Sequence, residues 1–184
     1  MTSPAAPSGH QRLDTARLVL RRPLAADADG IFRAYASDPD ATRYLSWRRH
    51  HALDQTRAFL DFSDDEWDRW PVGPLLIEER ATGRVIGGTG LAFETPWRAS
   101  TGYVLARDAW GRGYASEALA AMVGLAGRTG VVRLYALCHV EHQASRRVLE
   151  RGGFTCEGLL LRHMVFPNLG PAPCDTWSYA RILG

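Results

Sequence analysis

The rhythm of apolar and polar residues sorts most of this chain into helices and strands. Arg17-Leu18-Val19-Leu20-Arg21 alternates, which is the period of a half-buried strand, and Pro23 stops it. Residues 27–36 carry Ile31, Phe32 and Tyr35 at helical spacing. Ser37-Asp38-Pro39-Asp40 ends that helix, because the residue before a proline disfavours the α region. Residues 41–52 read as a loop bearing Tyr44, Trp47, His50 and His51. Residues 53–70 set Phe59, Leu60, Phe62, Trp67 and Trp70 among acids, the pattern of an amphipathic helix with an interruption allowed at Ser63. Its aromatic stripe reads as core. After the break Pro71-Val72-Gly73-Pro74, residues 75–80 form a strand, Ala81-Thr82-Gly83 a tight turn, and residues 84–93 the returning strand. Gly87, Gly88 and Gly90 in that strand mark a bulge or a close helix crossing.

A connection at 94–98 leads to a strand ending at Ala106. Residues 115–128 form a helix with Ala118, Leu119, Met122, Val123 and Leu125 inward, and Gly130 terminates it. Residues 131–140 are rich in β-formers and predict a buried strand. Residues 141–151 return to helix and stop at Gly152-Gly153. Residues 154–166 and 176–183 close the fold as strands around a loop at 167–173. The order β-α-α-β-β-β-α-β-α-β-β joins a three-strand antiparallel run to a βαβα segment. It predicts an α/β fold whose mixed sheet carries helices on both faces.

Composition narrows the picture. A chain of 184 residues, 46% hydrophobic and 23% charged, suits one globular domain. Residues 1–11 are rich in Pro, Ser and Ala without an apolar signal core, so the expectation is a disordered tail before a domain over 12–184. No apolar run approaches the roughly 18 residues that cross a bilayer, which predicts a cytoplasmic protein without a membrane partner. All 22 basic residues are arginine, they are dispersed, and the net charge is only +2, so nucleic acid is not an expected partner. Three widely spaced cysteines, Cys138, Cys156 and Cys174, fit reduced thiols. Cys138, His139 and His142 lack a C-x-x-C or a second ligand pair, so no metal is expected. Cys138 reads as packed in its strand, with the histidines near the exposed end.

The sharpest chemical signal is Trp110-Gly111-Arg112-Gly113-Tyr114-Ala115-Ser116-Glu117, between the strand at 101–106 and the helix from 115. A glycine-rich helix start leaves backbone N–H groups without intrahelical partners, and the positive end of the helix dipole adds to them. Together they suit a pyrophosphate, and the glycines let it approach the backbone.

This order, with Gly111 to Ala115 at the fourth-strand turn, resembles the GNAT family of N-acetyltransferases, most closely its RimJ/RimL-like branch that acetylates ribosomal-protein N-termini. The resemblance runs from Arg17 to Leu183. It is carried by Arg17-Leu18-Val19-Leu20-Arg21, by Ile86-Gly87-Gly88-Thr89-Gly90, by Gly102-Tyr103-Val104-Leu105 through Ala115-Ser116-Glu117-Ala118-Leu119, and by Ala144-Ser145-Arg146-Arg147-Val148-Leu149-Glu150-Arg151-Gly152-Gly153-Phe154. In the family's pyrophosphate motif Trp110 takes a place usually held by Gln or Arg. His142 stands where the family has the Asn that binds the pantetheine arm, and Leu149 stands where many relatives have a general-acid Tyr.

The resemblance implies the acyl-CoA acyltransferase fold, with a mostly antiparallel sheet. It also implies direct attack of a primary amine on acetyl-CoA as cosubstrate. It assigns cofactor contacts to Tyr103, Val104, Leu105, Gly111, Arg112, Gly113, Tyr114, Ala115, Ser116, His142 and Ser145, with an oxyanion held by backbone N–H near Val104-Leu105 and Ser145 beside the sulfur. Glu94 is the first candidate for general base, followed by His139 and Glu141, because Ser100 and Thr101 occupy the place of the usual fourth-strand acid. Tyr44, Trp47 and His51 would face the acceptor, a peptide N-terminus or a small amine. A homodimer is compatible with this reading. Two alternatives stand beside it. One is a non-catalytic acyl-CoA-binding module. The other is a dinucleotide site, which G-x-G-x-x-G meets only in part because Ser116 takes the third glycine's place.

Overall fold

The computed structural model describes residues 11–184. β1 (Arg12–Asp14) and β2 (Leu18–Arg21) form an N-terminal hairpin. A short 3-10 turn leads to α1 (Ala28–Ile31), which runs straight on as a π-helical turn (Phe32–Ala36). Ser37 N–H donates to the Phe32 carbonyl, five residues back, at 3.1 Å. The expected stop at 37–40 is also a start. Asp38 accepts from the N–H groups of Asp40 and Ala41 and caps the single turn α2 (Pro39–Thr42). Then come α3 (Leu53–Arg69), β3 (Pro74–Glu79), β4 (Arg84–Thr95) and β5 (Arg98–Leu105). They are followed by α4 (Tyr114–Arg128), β6 (Arg133–His139), α5 (Gln143–Arg151), β7 (Thr155–Val165) and β8 (Pro173–Ile182). α3 passes through Ser63 without interruption. Thr56, Leu60, Ser63 and Trp67 recur at intervals of four, three and four and share its buried stripe. Among the described residues no helix is long and apolar enough to cross a membrane. The tail expected over 1–11 lies, except for Gln11, outside the described residues.

The strands form one sheet in the order β1-β2-β3-β4-β5-β6-β8-β7, antiparallel everywhere except between β5 and β6. Both faces are covered. Leu75 and Ile77 of β3 pack with Ala118, Leu119, Met122 and Leu125 of α4. Leu76, between them, packs on the other face with Ile31, Tyr35 and Leu60. The glycines of β4 mark both a bulge and a close crossing. The β3–β4 register shifts at Ile77/Glu78, opposite Gly87. A Cβ on Gly87 would stand 2.2 Å from the Val104 carbonyl, and one on Gly88 3.0 Å from the Tyr35 hydroxyl.

β5 and β6 pair only at Arg98↔Arg133, Ala99↔Leu134 and Ser100↔Tyr135. Beyond that β5 stays on β4 as far as Leu105, while β6 follows β8 as far as His139. The two strands part, and a gap opens in the middle of the sheet.

Candidate active site

The gap exposes unpaired strand backbone. Ala106 N–H donates to the Ile86 carbonyl at 2.8 Å. In an antiparallel pair the bonded residues alternate, so Val104 turns its N–H toward β4 while Tyr103 and Leu105 turn theirs into the gap. A cavity of about 1120 Å³ begins here, lined by Tyr103, Val104, Leu105, Cys138, His139, His142 and Ser145.

At one end the cavity reaches the start of α4. Gly111 and Gly113 have φ of +72° and +80°, the left-handed region that disfavours side chains. Gly113 is the N-cap, and no side chain caps the helix, so the N–H groups of the first turn are left unclaimed. Trp110, Gly111, Gly113, Tyr114, Ala115 and Ser116 all border the cavity. Arg112 does not; its guanidinium pairs with Glu79 at 3.2 Å. The Trp110 indole N–H donates to the Leu105 carbonyl at 2.9 Å and so binds the loop to the strand end.

Deeper in, α5 begins at His142 and brings Ser145 over the gap. Ser145 Oγ lies 3.1 Å from the Tyr103 hydroxyl, so its hydroxyl reaches across to β5. Burial pushes the Tyr103 phenol up to about 12, so it stays protonated and able to donate. Burial also raises the Cys138 thiol.

The other end of the cavity is aromatic. Tyr44 stacks on His139 at 4.9 Å and on His142 at 4.8 Å, and Phe166 meets His139 edge-on at 4.9 Å. His139 is buried rather than near an exposed strand end. Desolvation lowers both imidazoles, which favours their neutral form. Glu141 N–H donates to His139 Nδ1 at 3.2 Å. The neutral ring therefore carries its proton on Nε2 and acts there as a donor, not as a base. Asn168 straps this wall: its amide donates to the carbonyls of Thr42 (2.7 Å) and Trp47 (2.9 Å), and its oxygen accepts from Arg49 N–H (2.8 Å).

Besides Arg112, three of the expected residues lie off the cavity. Glu94 ion-pairs with Arg98 at 3.1 Å and accepts from the Tyr135 hydroxyl, at the closed end where β5 and β6 still pair. Trp47 packs into the smaller core and leans on His50 at 5.2 Å. His51 is exposed, and its backbone N–H is bound at the start of α3 by Gln55. Four partners have no local signal in the sequence: the Tyr103–Ser145 contact, Phe166, Asn168, and the contacts of Thr15 and Arg17 with the loop. Their separations of 27 to 126 residues put them beyond any periodicity.

Comparison with known proteins agrees with this layout. Residues 17–155 match the acetyltransferase (GNAT) domain. The uncharacterized N-acetyltransferase YoaA of Bacillus subtilis (strain 168) is 28% identical over 177 residues, covering 92% of this chain and 96% of that protein. The uncharacterized N-acetyltransferase p20 of Bacillus licheniformis is 31% identical over 153 residues, covering 82% of this chain and 85% of that one. Among solved structures, RimL, a ribosomal L7/L12 alpha-N-protein acetyltransferase in complex with coenzyme A, superposes with a TM-score of 0.81 at 22% identity, over 92% of this chain and 96% of that chain. A domain match over most of the chain and a 31% identical relative leave one assignment: the chain belongs to the GNAT acetyltransferase family.

Proposed function

We propose that this protein transfers the acetyl group of acetyl-CoA to a primary amine by direct attack in a ternary complex held between β5 and β6. One observation carries the reading: an uncapped helix start with two left-handed glycines borders the same cavity as an unpaired strand edge. The first supplies donors for a diphosphate. The second supplies N–H groups of Tyr103 and Leu105 for a pantetheine arm and for the oxyanion of the tetrahedral intermediate. The amine forms the new C–N bond, the C–S bond breaks, and the proton lost by nitrogen balances the one gained by sulfur.

Ser145 serves the departing sulfur by hydrogen bonding. An α-amine with a pKa of about 8 is already partly neutral, so the demand for a base is small. With Glu94 engaged at the closed end and His139 a donor, Glu141 and the neutral His142 remain beside Tyr44 as proton acceptors. Tyr44, Phe166 and Met164 form the acceptor wall. A peptide N-terminus is the acceptor class we favour, because the similar fold of RimL is described as acting on such an amine. Nothing at the site favours the non-catalytic module or the dinucleotide alternative.

The test is thiol release from acetyl-CoA across N-terminal peptides and small amines, with calorimetric titration of coenzyme A alongside. Turnover with peptides above the acceptor-free rate is expected. Binding without turnover on any amine would overturn the catalytic assignment, and no binding would overturn the site.

A further inference from the structure

We infer that the turn joining β1 to β2 positions the phosphate loop: Arg17, helped by Thr15, acts through Glu117 and the Arg112 carbonyl to fix the backbone of Gly111–Gly113. The inference rests on the loop being the diphosphate site proposed above.

Four contacts converge from a segment about a hundred residues away in sequence. Thr15 Oγ1 donates to Glu117 Oε1 at 2.6 Å, and the backbone N–H of Arg17 donates to the same oxygen at 2.7 Å. Arg17 Nε donates to Glu117 Oε2 at 2.7 Å. Arg17 Nη1 donates to the Arg112 carbonyl at 2.8 Å. The Arg17 guanidinium also lies 4.7 Å from the centre of the Tyr114 ring, against which Arg112 packs at 4.9 Å. The Tyr114 hydroxyl is held in turn by the buried Glu79 at 2.6 Å.

Planarity of the peptide group makes this consequential. In a trans peptide the C=O and the following N–H point in opposite directions. Arg17 holds the Arg112 carbonyl toward the β1–β2 turn, so it points the Gly113 N–H the other way, toward the cavity that Gly113 borders. A loop with two glycines would otherwise lose more conformational freedom on binding than any other, and a tether made in advance removes that cost. Electrostatics point the same way. Glu117 places a carboxylate in the first turn of α4, where it would repel a diphosphate, and the Arg17 ion pair at 2.7 Å offsets it.

Arg17 is therefore a positioning residue for the cosubstrate. Its test is calorimetry on the full chain with two probes: coenzyme A, and S-acetyl-pantetheine, which has the arm but no diphosphate. Arg17→Ala is expected to weaken coenzyme A about tenfold, the scale of one charge-assisted hydrogen bond, and to leave S-acetyl-pantetheine unchanged. Arg17→Lys should recover part of the loss, and the milder Thr15→Val should give a smaller one. Equal weakening of both probes, or a lowered Tm with wild-type coenzyme A affinity, would overturn the tether and leave only a structural role. If wild-type protein ignores coenzyme A, the functional reading falls and takes this one with it. If wild-type binds and all variants match it, only the tether falls.

Discussion

With its phenol pushed up to about 12 by burial, Tyr103 stays protonated and holds its proton more tightly than an ordinary phenol. Tyr103 therefore does not replace the acid missing at Leu149. Its hydroxyl shares one hydrogen bond with Ser145 Oγ at 3.1 Å in which either group can donate, and when the phenol donates the serine proton is free to face sulfur. We expect Ser145→Ala to lower kcat about tenfold or more with little change in the KM for acetyl-CoA. Tyr103→Phe keeps the ring and should lower kcat about threefold to tenfold. If the two act as a unit, Tyr103→Phe should add little on top of Ser145→Ala; full additivity or an unchanged rate in Ser145→Ala would break the pair. At this scale the sequence offered Ser145 through its match to a family motif. It could not separate Tyr44 from Trp47 and His51, all aromatic residues on one connection, because that choice was made by Asn168, more than a hundred residues later.

Elements with a clear apolar period were legible, the four-residue β2 among them, and β1 and α2 were not. Of the expected inner face of α4, Ala118, Leu119, Met122 and Leu125 are buried and Val123 is partly buried. β1 has three residues and α2 four, too few for a strand and a helix period respectively to show. The start of α4 was readable because its geometry is demanded by residue type. Gly113 sits at φ +80° with only the tip of Arg17 within 4 Å of where a Cβ would be. Gly113→Glu adds left-handed strain of about 1–2 kcal/mol and sets a bulky carboxylate against the Arg17 guanidinium, which displaces the loop and adds negative charge at the helix start that would hold the phosphates. We expect it to abolish coenzyme A binding in calorimetry, and retained micromolar affinity would refute the loop assignment.

For the molecule as a whole, buried and half-buried histidines set the acid limit. Desolvation lowers the pKa of His50, His139 and His142 below the ordinary value of about 6.5. For His139 the neighbouring Glu141 and Asp175 oppose that shift and Arg43 reinforces it. Between the folded and unfolded values the unfolded chain binds more protons. These groups therefore contribute stability above about pH 6.5 that is lost as the pH falls. The buried or paired carboxylates Asp27, Glu79 and Glu117 are also lowered, and they lose their contribution at more acid pH. The Tm should hold steady from pH 8 to 7 and begin to drop near pH 6.5, before the carboxylate range is reached. A Tm flat to pH 5 would show that the imidazoles do not carry this dependence. Replacing His142 with Asn should flatten the first part of the curve.

The sequence by itself determined whatever depends on near neighbours: the strand and helix periods, the breaks at proline, and a helix start that only glycines can form. It also carried a family pattern that names the chemistry. Tertiary structure decided where β5 and β6 stop pairing at Ser100 and Tyr135, that Ser145 meets Tyr103, and that Glu94 meets Tyr135 at the closed end. These are meetings between residues far apart along the chain. They are fixed by the packing of α4, α5 and the sheet together, so no local pattern of residues could announce them.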